Sequence, residues 1–542
     1  MLKVLAKQTA SMHTRDGVRL DADIYRPDAT GEFPVLLMRQ PYGRAIASTV
    51  VYAHPTWYAA HGYIVVIQDV RGRGTSEGEF QLFIHEIADG EDTVHWAANL
   101  PNSNGQVGMY GFSYQGMTQL YAAANKPPAL KAICPAMIGY DLYTDWAYEG
   151  GAFCLQTNLA WAIQLATETA RLRKDKTAYQ ALLTASRNLP LTNPEILQLL
   201  APESFYHDWL AHSQPDTYWQ ELSPKHHLQE IDLPMFHIGG WFDSYLRGTL
   251  QLYQDMAARS TTSQHLLVGP WAHLPWGRKV GSVDFGVKAA SPVDKMQVRW
   301  FDQFLKDVDT GLLQEQPICL FEMGSNTWRT FPNLPTPNQK SYFLSTTGLA
   351  SIREDSGTLS THNSELSTDD VLIHDPWRPV PALGGHAAIP AGVFERSHID
   401  CRSDVLTYTS EPLTKNLHLT GDIVVKISCC ADTPSYDLCA MLSAVHPDGK
   451  VYNLTQGYIH CANGTNPVTR KIPLQTTCVQ IAQGHALRLS LSAACFPAYA
   501  MNSGNGTVIS SENLLDAQII TLTVSCGGEA RSQVLLPVIQ AS

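Results

Sequence analysis

Ser113, Asp243 and His273 are the side chains of this chain best suited to acyl-transfer chemistry, a nucleophile, an acid and a base in that order. Ser113 lies in GMYGFSYQG (108–116), close to the G-x-S-x-G turn that places a nucleophilic serine between a strand and a helix. The second glycine comes one position late, with Gln115 in its usual place, so as a bare pattern the match also fits an ordinary helix-capping serine. Context favours the turn. Met109 and Tyr110 close an apolar run, Gly111 suits a tight turn, and Gln115–Asn125 are good helix formers stopped by Pro127-Pro128. The backbone N–H of Tyr114 would sit at a helix N-terminus, facing a developing oxyanion.

The elements around these residues decide which partners can reach Ser113. PVLLMRQ, YIVVIQDV, QVGMYG and LKAICPA read as buried strands, with helices near 50–61 and 86–99 and after Ser113. That alternation predicts an α/β fold with a mostly parallel, doubly wound sheet, whose ligands bind at the carboxyl edge. Asp232 precedes the strand PMFHIGGWF and falls at the wrong edge, whereas Asp243 follows it. By the same test His265 opens HLLVGP, while His273 comes just after it in PWAHLPW. His237 is inside a strand and reads as a core residue. Topology therefore selects Asp243 and His273 as partners of Ser113.

The pattern breaks at 142–231, a Trp-, Leu- and Ala-rich stretch with helical spacing (LQTNLAWAIQLATETARLRK), and resumes at 232–312. Beyond 312 short β-rich segments such as VVKISCC and ALRLSLSA alternate with turn residues. The expected organisation is an α/β domain in two parts (1–141 and 232–312), a helical insertion (142–231) and an all-β sandwich or jelly roll (313–542).

Composition narrows the partners. The 542 residues carry a formal net charge of −12, with no Lys/Arg run, which argues against nucleic acid. No window approaches the roughly 18 apolar residues of a membrane span, and no secretory leader is evident, so a cytoplasmic location is expected. Eleven cysteines without CxxC spacing read as buried thiols rather than a disulfide framework or a metal site. Neither HExxH nor a P-loop occurs; no metal and no cofactor is expected. Gly72, Gly74 and Gly78 follow a strand, but at spacing that does not match a dinucleotide fingerprint. The expected partner is a small-molecule ester; a homodimer is compatible with the sequence.

The second oxyanion donor is open from the residues themselves. The loop after PVLLMR, RQPYGR (39–44), has no HGGG-type run; Tyr42 could donate through its hydroxyl or serve only as a packing aromatic.

Taken together, RxPY (39–42), GxSYxG (111–116), GWxD (240–243) and GPWxH (269–273) resemble the cocaine esterase/X-Pro dipeptidyl-peptidase family, the CocE/NonD hydrolases, over nearly the whole chain. DVRGRGTSEGEF (69–80), VHPDGKVYNLTQGYI (445–459) and LSAACFPAYAMNSGNG (491–506) are similar to further family segments, with Cys495 where a polar residue is usual. The resemblance implies an α/β-hydrolase domain, an inserted cap and a jelly roll. It also implies Ser113 as nucleophile, Asp243 as acid, His273 as base, and the Tyr42 hydroxyl and Tyr114 N–H as oxyanion donors. Trp146, Trp161 and Tyr245 look like the aromatics that line the acyl pocket in the esterase branch; cap packing accounts for them equally. The two tryptophans are fifteen positions apart, about four turns of one continuous helix.

The expected activity is cleavage of carboxylic esters, or amides, with an apolar or aromatic acyl group. Its rivals are an α-amino-acid ester hydrolase or β-lactam acylase, for which Asp141, Asp145 and Glu149 could hold a substrate ammonium, an X-Pro dipeptidyl-peptidase, and a binding protein on the same scaffold.

Overall fold

The computed structural model describes residues 1–187, 195–506 and 514–540. Its first sheet has ten strands. Seven of them run parallel in the spatial order Ile64–Asp69, Phe33–Gln40, Ser103–Phe112, Leu130–Ala136, Met235–Phe242, Gln264–Ala272, Ile318–Glu322. Most of these are buried along nearly their whole length, because helices cover both faces, and this is why they read as unbroken apolar runs. Helices Glu86–Ala98 and Tyr114–Ala124 pack beside one another on one face. Helix Val293–Leu305 lies on the other, with Trp300, Phe301 and Leu305 buried.

Both edges of the sheet turn antiparallel. At one edge stand Gln8–His13 and Arg19–Tyr25, whose polar residues interrupt the apolar run that marks the inner strands. At the other edge the sheet continues through Ile318–Glu322 and Thr327–Phe331. The first sheet thus runs past the 312/313 division expected from the sequence. The short, half-exposed strand Thr327–Phe331 carries the same turn-bounded pattern as the all-β strands after it.

Between Ala136 and Met235 the chain forms the cap: a π-helical turn Tyr143–Ala147, a two-residue hairpin (Tyr148–Glu149 with Ala152–Phe153), and a series of helices led by Leu155–Leu172. The fifteen residues from Trp146 to Trp161 are therefore not one helix. Pairs of glycines favour a turn over a helix, and Gly150-Gly151, both at positive φ, make the hairpin bend that interrupts it.

The C-terminal part is all β, an eleven-stranded arrangement with long strands such as Leu417–Ala431 and Val468–Ile481. Alternate residues of Leu417–Ala431 are buried, as expected of a strand with one face on a core. That core is continuous with the second half of the hydrolase body: Trp241, Phe242 and Leu246 share an apolar cluster with Leu419, Val425 and Leu474. No helix among the described residues is long and apolar enough to cross a membrane.

Candidate active site

Ser113 joins the strand Ser103–Phe112 to the helix Tyr114–Ala124 at φ +58°, ψ −129°, a conformation that an L-residue adopts only when its surroundings force it. Its side chain makes no capping hydrogen bond, which sets it apart from an ordinary N-cap serine. The late glycine has a steric cause. A Cβ on Gly116 would lie 2.8 Å from the carbonyl oxygen of Ala136 and 2.4 Å from Ile138, so the helix can approach the neighbouring strand this closely only with glycine there. Gly111 answers Gln115 in the same way: a Cβ on Gly111 would sit 2.4 Å from the Cβ of Gln115. Tyr114 opens the helix, so its N–H has no partner within the helix, while its phenol donates to Glu86 at 2.7 Å. Arg39, fully buried, donates to the same carboxylate at 2.5 Å. Glu86, the first residue of the helix Glu86–Ala98, thus links Arg39 to the phenol of Tyr114.

Asp243 follows Met235–Phe242 and is fully buried; His273 follows Gln264–Ala272. Nδ1 of His273 and Oδ1 of Asp243 are 2.8 Å apart. The imidazole lies beside Phe112, centroids 5.4 Å apart, and edge-on to Tyr245 at 5.0 Å, so it stands against the residue preceding Ser113. The all-β part supports the acid loop: Gln475 Nε2 donates to the carbonyl oxygens of Trp241 and Asp243 at 2.9 and 3.0 Å, and Ser244 Oγ to that of His386 at 2.8 Å. No sequence signal points to Gln475.

The other ionisable candidates go elsewhere. His237 is buried in its strand with Nε2 3.0 Å from Gln264 Oε1, and burial lowers its pKa to about 4. Asp232 binds Ser260, Thr261 and Thr262 at the opposite edge of the sheet.

Tyr42 lies beside the elbow. Burial pushes its phenol up to about 12, against hydrogen bonding from Trp161, the charge of Arg73 and a contact with Ser113, so it remains a neutral O–H at ordinary pH. The ring of Tyr42 meets that of Tyr114 at 6.5 Å. Trp161 Nε1 donates to Tyr42 Oη at 3.1 Å.

The three pocket aromatics singled out in the sequence come together. Trp146 stacks on Tyr245 at 4.1 Å and tilts against Trp161 at 5.2 Å. Tyr42, Trp161, Trp146, Tyr245 and His273 thus form a continuous arc of contacts, with Tyr42 against Ser113 at one end and His273 against Phe112 at the other. A cleft of about 340 Å³ opens beside it, between Tyr42 and the cap residues Ile163, Gln164 and Tyr179.

The three cap carboxylates are committed to the fold. Asp145 accepts the backbone N–H groups of Tyr140 and Asp141 at 3.1 and 2.8 Å, and Asp141 accepts that of Tyr143 at 3.2 Å. Glu149 is held by Arg247, His386 and Tyr499 at 2.9, 2.8 and 2.6 Å. All three thus carry hydrogen bonds or ion pairs within the protein.

A family model for X-Pro dipeptidyl-peptidase (S15 family) matches residues 16–275, and one for the X-Pro dipeptidyl-peptidase C-terminal non-catalytic domain matches 310–535. The chain is 31% identical to a cocaine esterase of Rhodococcus sp., over 97% of each chain. Among solved structures it resembles an aminopeptidase of a marine-sediment Thaumarchaeota archaeon (TM-score 0.84, 23% identity, 99% of this chain and 96% of that one). It also resembles an α-amino acid ester hydrolase (TM-score 0.81, 23% identity, 99% and 97%). At that identity the two structures speak for the fold alone.

Proposed function

Because the chain belongs to the S15 family, which places it among the serine hydrolases, we propose that it cleaves carboxylic esters with an apolar or aromatic acyl group through an acyl-enzyme. The observation that carries this reading is the 2.8 Å contact between His273 and the buried Asp243, with the imidazole set against the residue before a strained Ser113.

In this reading Asp243 accepts from Nδ1–H of His273 and so leaves Nε2 unprotonated and basic. Nε2 takes the Ser113 proton as Oγ attacks the ester carbonyl. The oxyanion is met by the Tyr42 hydroxyl and the Tyr114 N–H; the imidazolium returns the proton to the departing alkoxide. Water repeats the sequence on the acyl-enzyme and releases the acid. The arc of Trp161, Trp146 and Tyr245 suits a planar or branched apolar acyl group.

An α-amino ester or an X-Pro peptide brings an ammonium that needs a carboxylate. Asp141, Asp145 and Glu149 being engaged speaks against both substrates. The test is fluorophosphonate labelling with a Ser113→Ala control, alongside kcat/KM for benzoate esters, α-amino esters and Ala-Pro amides. Labelling confined to Ser113 and fastest turnover of the benzoate esters is expected. Faster cleavage of α-amino esters or Ala-Pro amides overturns the substrate class, and an unlabelled, folded protein overturns the mechanism.

A further inference from the structure

A second cavity, of about 870 Å³, lies between the cap helix Leu155–Leu172 and the glycine-rich loop 72–84. Arg73 lies in its floor, only 2% exposed. A guanidinium that deep is ordinarily paired with a carboxylate, since removing a charge from water costs several kcal/mol unless something answers it. Arg73 has no carboxylate within ion-pair range among the described residues. Glu168, on the adjoining helix, is taken by Arg171 at 2.6 Å. Glu203 at the mouth is taken by Arg173 at 2.9 Å, and Glu79 and Asp208 are exposed there.

What Arg73 does hold is neutral. Nη1 donates to the carbonyl oxygen of Leu165 and to Thr169 Oγ1, both at 3.2 Å, and the guanidinium lies 3.8 Å over the ring of Phe80. Nε is buried without a partner, and among the described residues the guanidinium's hydrogen bonds are those of Nη1 alone. Burial lowers this guanidinium to about 10, which accords with a charge left uncompensated. A neutral donor could tie down the helix as well, so the tether does not explain why the residue is charged.

The cavity adjoins the acyl pocket. Its wall residue Phe205 packs on Trp161 at 4.9 Å, and Phe80 faces Tyr114 at 6.0 Å. Leu165, which receives Arg73, is one helical turn from Trp161.

We propose that Arg73 anchors a binding site for a small organic carboxylate in this cavity, borne by the substrate ester or supplied as a separate ligand. A carboxylate would take up the free N–H groups and neutralise the buried charge, in the planar, two-point geometry that guanidinium favours. The proposal rests on the esterase reading for its link to turnover. Fluorophosphonate labelling of Ser113 in the same preparations separates failure of that reading from failure of this one.

Two measurements test it. The first compares kcat/KM for para-nitrophenyl half-esters of glutaric, adipic and suberic acids with para-nitrophenyl esters of fatty acids of equal length. A substrate-borne carboxylate predicts that at least one half-ester is preferred by roughly tenfold in the wild type, and that Arg73→Met abolishes the preference. The second titrates tryptophan fluorescence with free adipate. A separate ligand predicts saturable binding without half-ester preference, weakened by roughly tenfold or more in Arg73→Met and less in Arg73→Lys. Parity of the two ester series together with no response to adipate in the wild type overturns the proposal, whether or not the variants fold. A preference or affinity that survives undiminished in Arg73→Met overturns it as well.

Discussion

The indole N–H of Trp161 points at the hydroxyl oxygen of Tyr42, 3.1 Å away. Indole only donates, so this bond occupies a lone pair of the phenol and leaves the phenol's own hydrogen for another acceptor. One residue of the aromatic arc thus sets how a neighbouring O–H is presented to the centre of the site. Tyr42→Phe is expected to lower kcat by roughly 10²–10³ if its hydroxyl meets the oxyanion. Trp161→Phe keeps the ring and loses the donor, and should lower kcat by roughly three- to tenfold. In the Tyr42→Phe background the Trp161 substitution should add little, because its partner is gone. Steady-state kinetics on the four proteins of this cycle read the coupling directly; strict additivity would detach Trp161 from Tyr42.

The phenol's displacement to about 12 gives a pH prediction. As the proposed oxyanion donor Tyr42 acts only while protonated, so its contribution should hold at every pH below that value and be lost only as pH rises through it. The kcat profile should show no decline between about pH 8 and 10.5 in which an ordinary tyrosine, near 10, would begin to ionise. A falling alkaline limb near 10 that vanishes in Tyr42→Phe would refute the assignment.

Glu149 carries a second one, concerning stability. Burial alone would raise its pKa, but the Arg247 charge and the bonds from His386 and Tyr499 outweigh it and hold the group at about 2, below its ordinary 4.5. A carboxylate depressed on folding stabilises the fold above its unfolded value, and that stability is lost as pH falls toward the folded one. The contribution is at most about 3 kcal/mol at neutral pH, decaying below about pH 4.5. Because Arg247 belongs to the hydrolase body and His386 and Tyr499 to the all-β part, the loss bears on their junction. Thermal melts of Glu149→Gln should fall below wild type at pH 7, lie closer to it at pH 3, and converge with it only as pH falls to about 2.

Gln475 reaches from the all-β part to two carbonyls of the acid loop, and no other described residue bonds both. Gln475→Ala removes the side-chain donor from both oxygens and leaves that of Asp243 with the long Leu246 N–H contact at 3.3 Å, a cost of about 2 kcal/mol. The loosened loop should also lower kcat by roughly tenfold while KM moves little, since in the proposed mechanism Asp243 acts on proton transfer through His273. Denaturation midpoints and the kcat/KM split check both halves. An unchanged kcat would make the tether purely structural.

The triad candidates are legible in the sequence because strand polarity in a parallel sheet fixes which end of a strand a residue occupies. That one rule separates Asp243 from Asp232 and His273 from His265. What escapes has no local signature. Gln475 lies more than two hundred positions from the loop it holds, and the partly polar strand Gln8–His13 reads like a loop because its exposure sets its composition. Asp141, Asp145 and Glu149 look free because sequence shows charge and not hydrogen bonds; backbone N–H groups and a half-buried arginine engage them. Arg73 misleads the other way. Set among glycines it reads as loop, and only its depth shows a charge without a partner.

The displaced glycine of the elbow yields the last prediction. In G-x-S-x-G the position after Ser113-Tyr114 is glycine; here it is Gln115, and Gly111 makes room for it, at φ +145° with only 2.4 Å between the place a methyl would take on Gly111 and Gln115 Cβ. Gly111→Ala therefore meets a Cβ, the Gln115 carbonyl oxygen at 2.9 Å and a backbone conformation hostile to L-residues. It should abolish labelling of Ser113 or yield no folded protein. Gln115→Gly restores the commoner spelling and removes the Cβ contact, at a helix-propensity cost of about 1 kcal/mol, with labelling retained. Combining the two should recover only part of what Gly111→Ala loses, because the carbonyl and the positive φ remain. Full recovery would mean that the Gln115 side chain alone had required Gly111. Gly116→Ala should fail in either background, since the obstacle there is the carbonyl of Ala136 on the neighbouring strand.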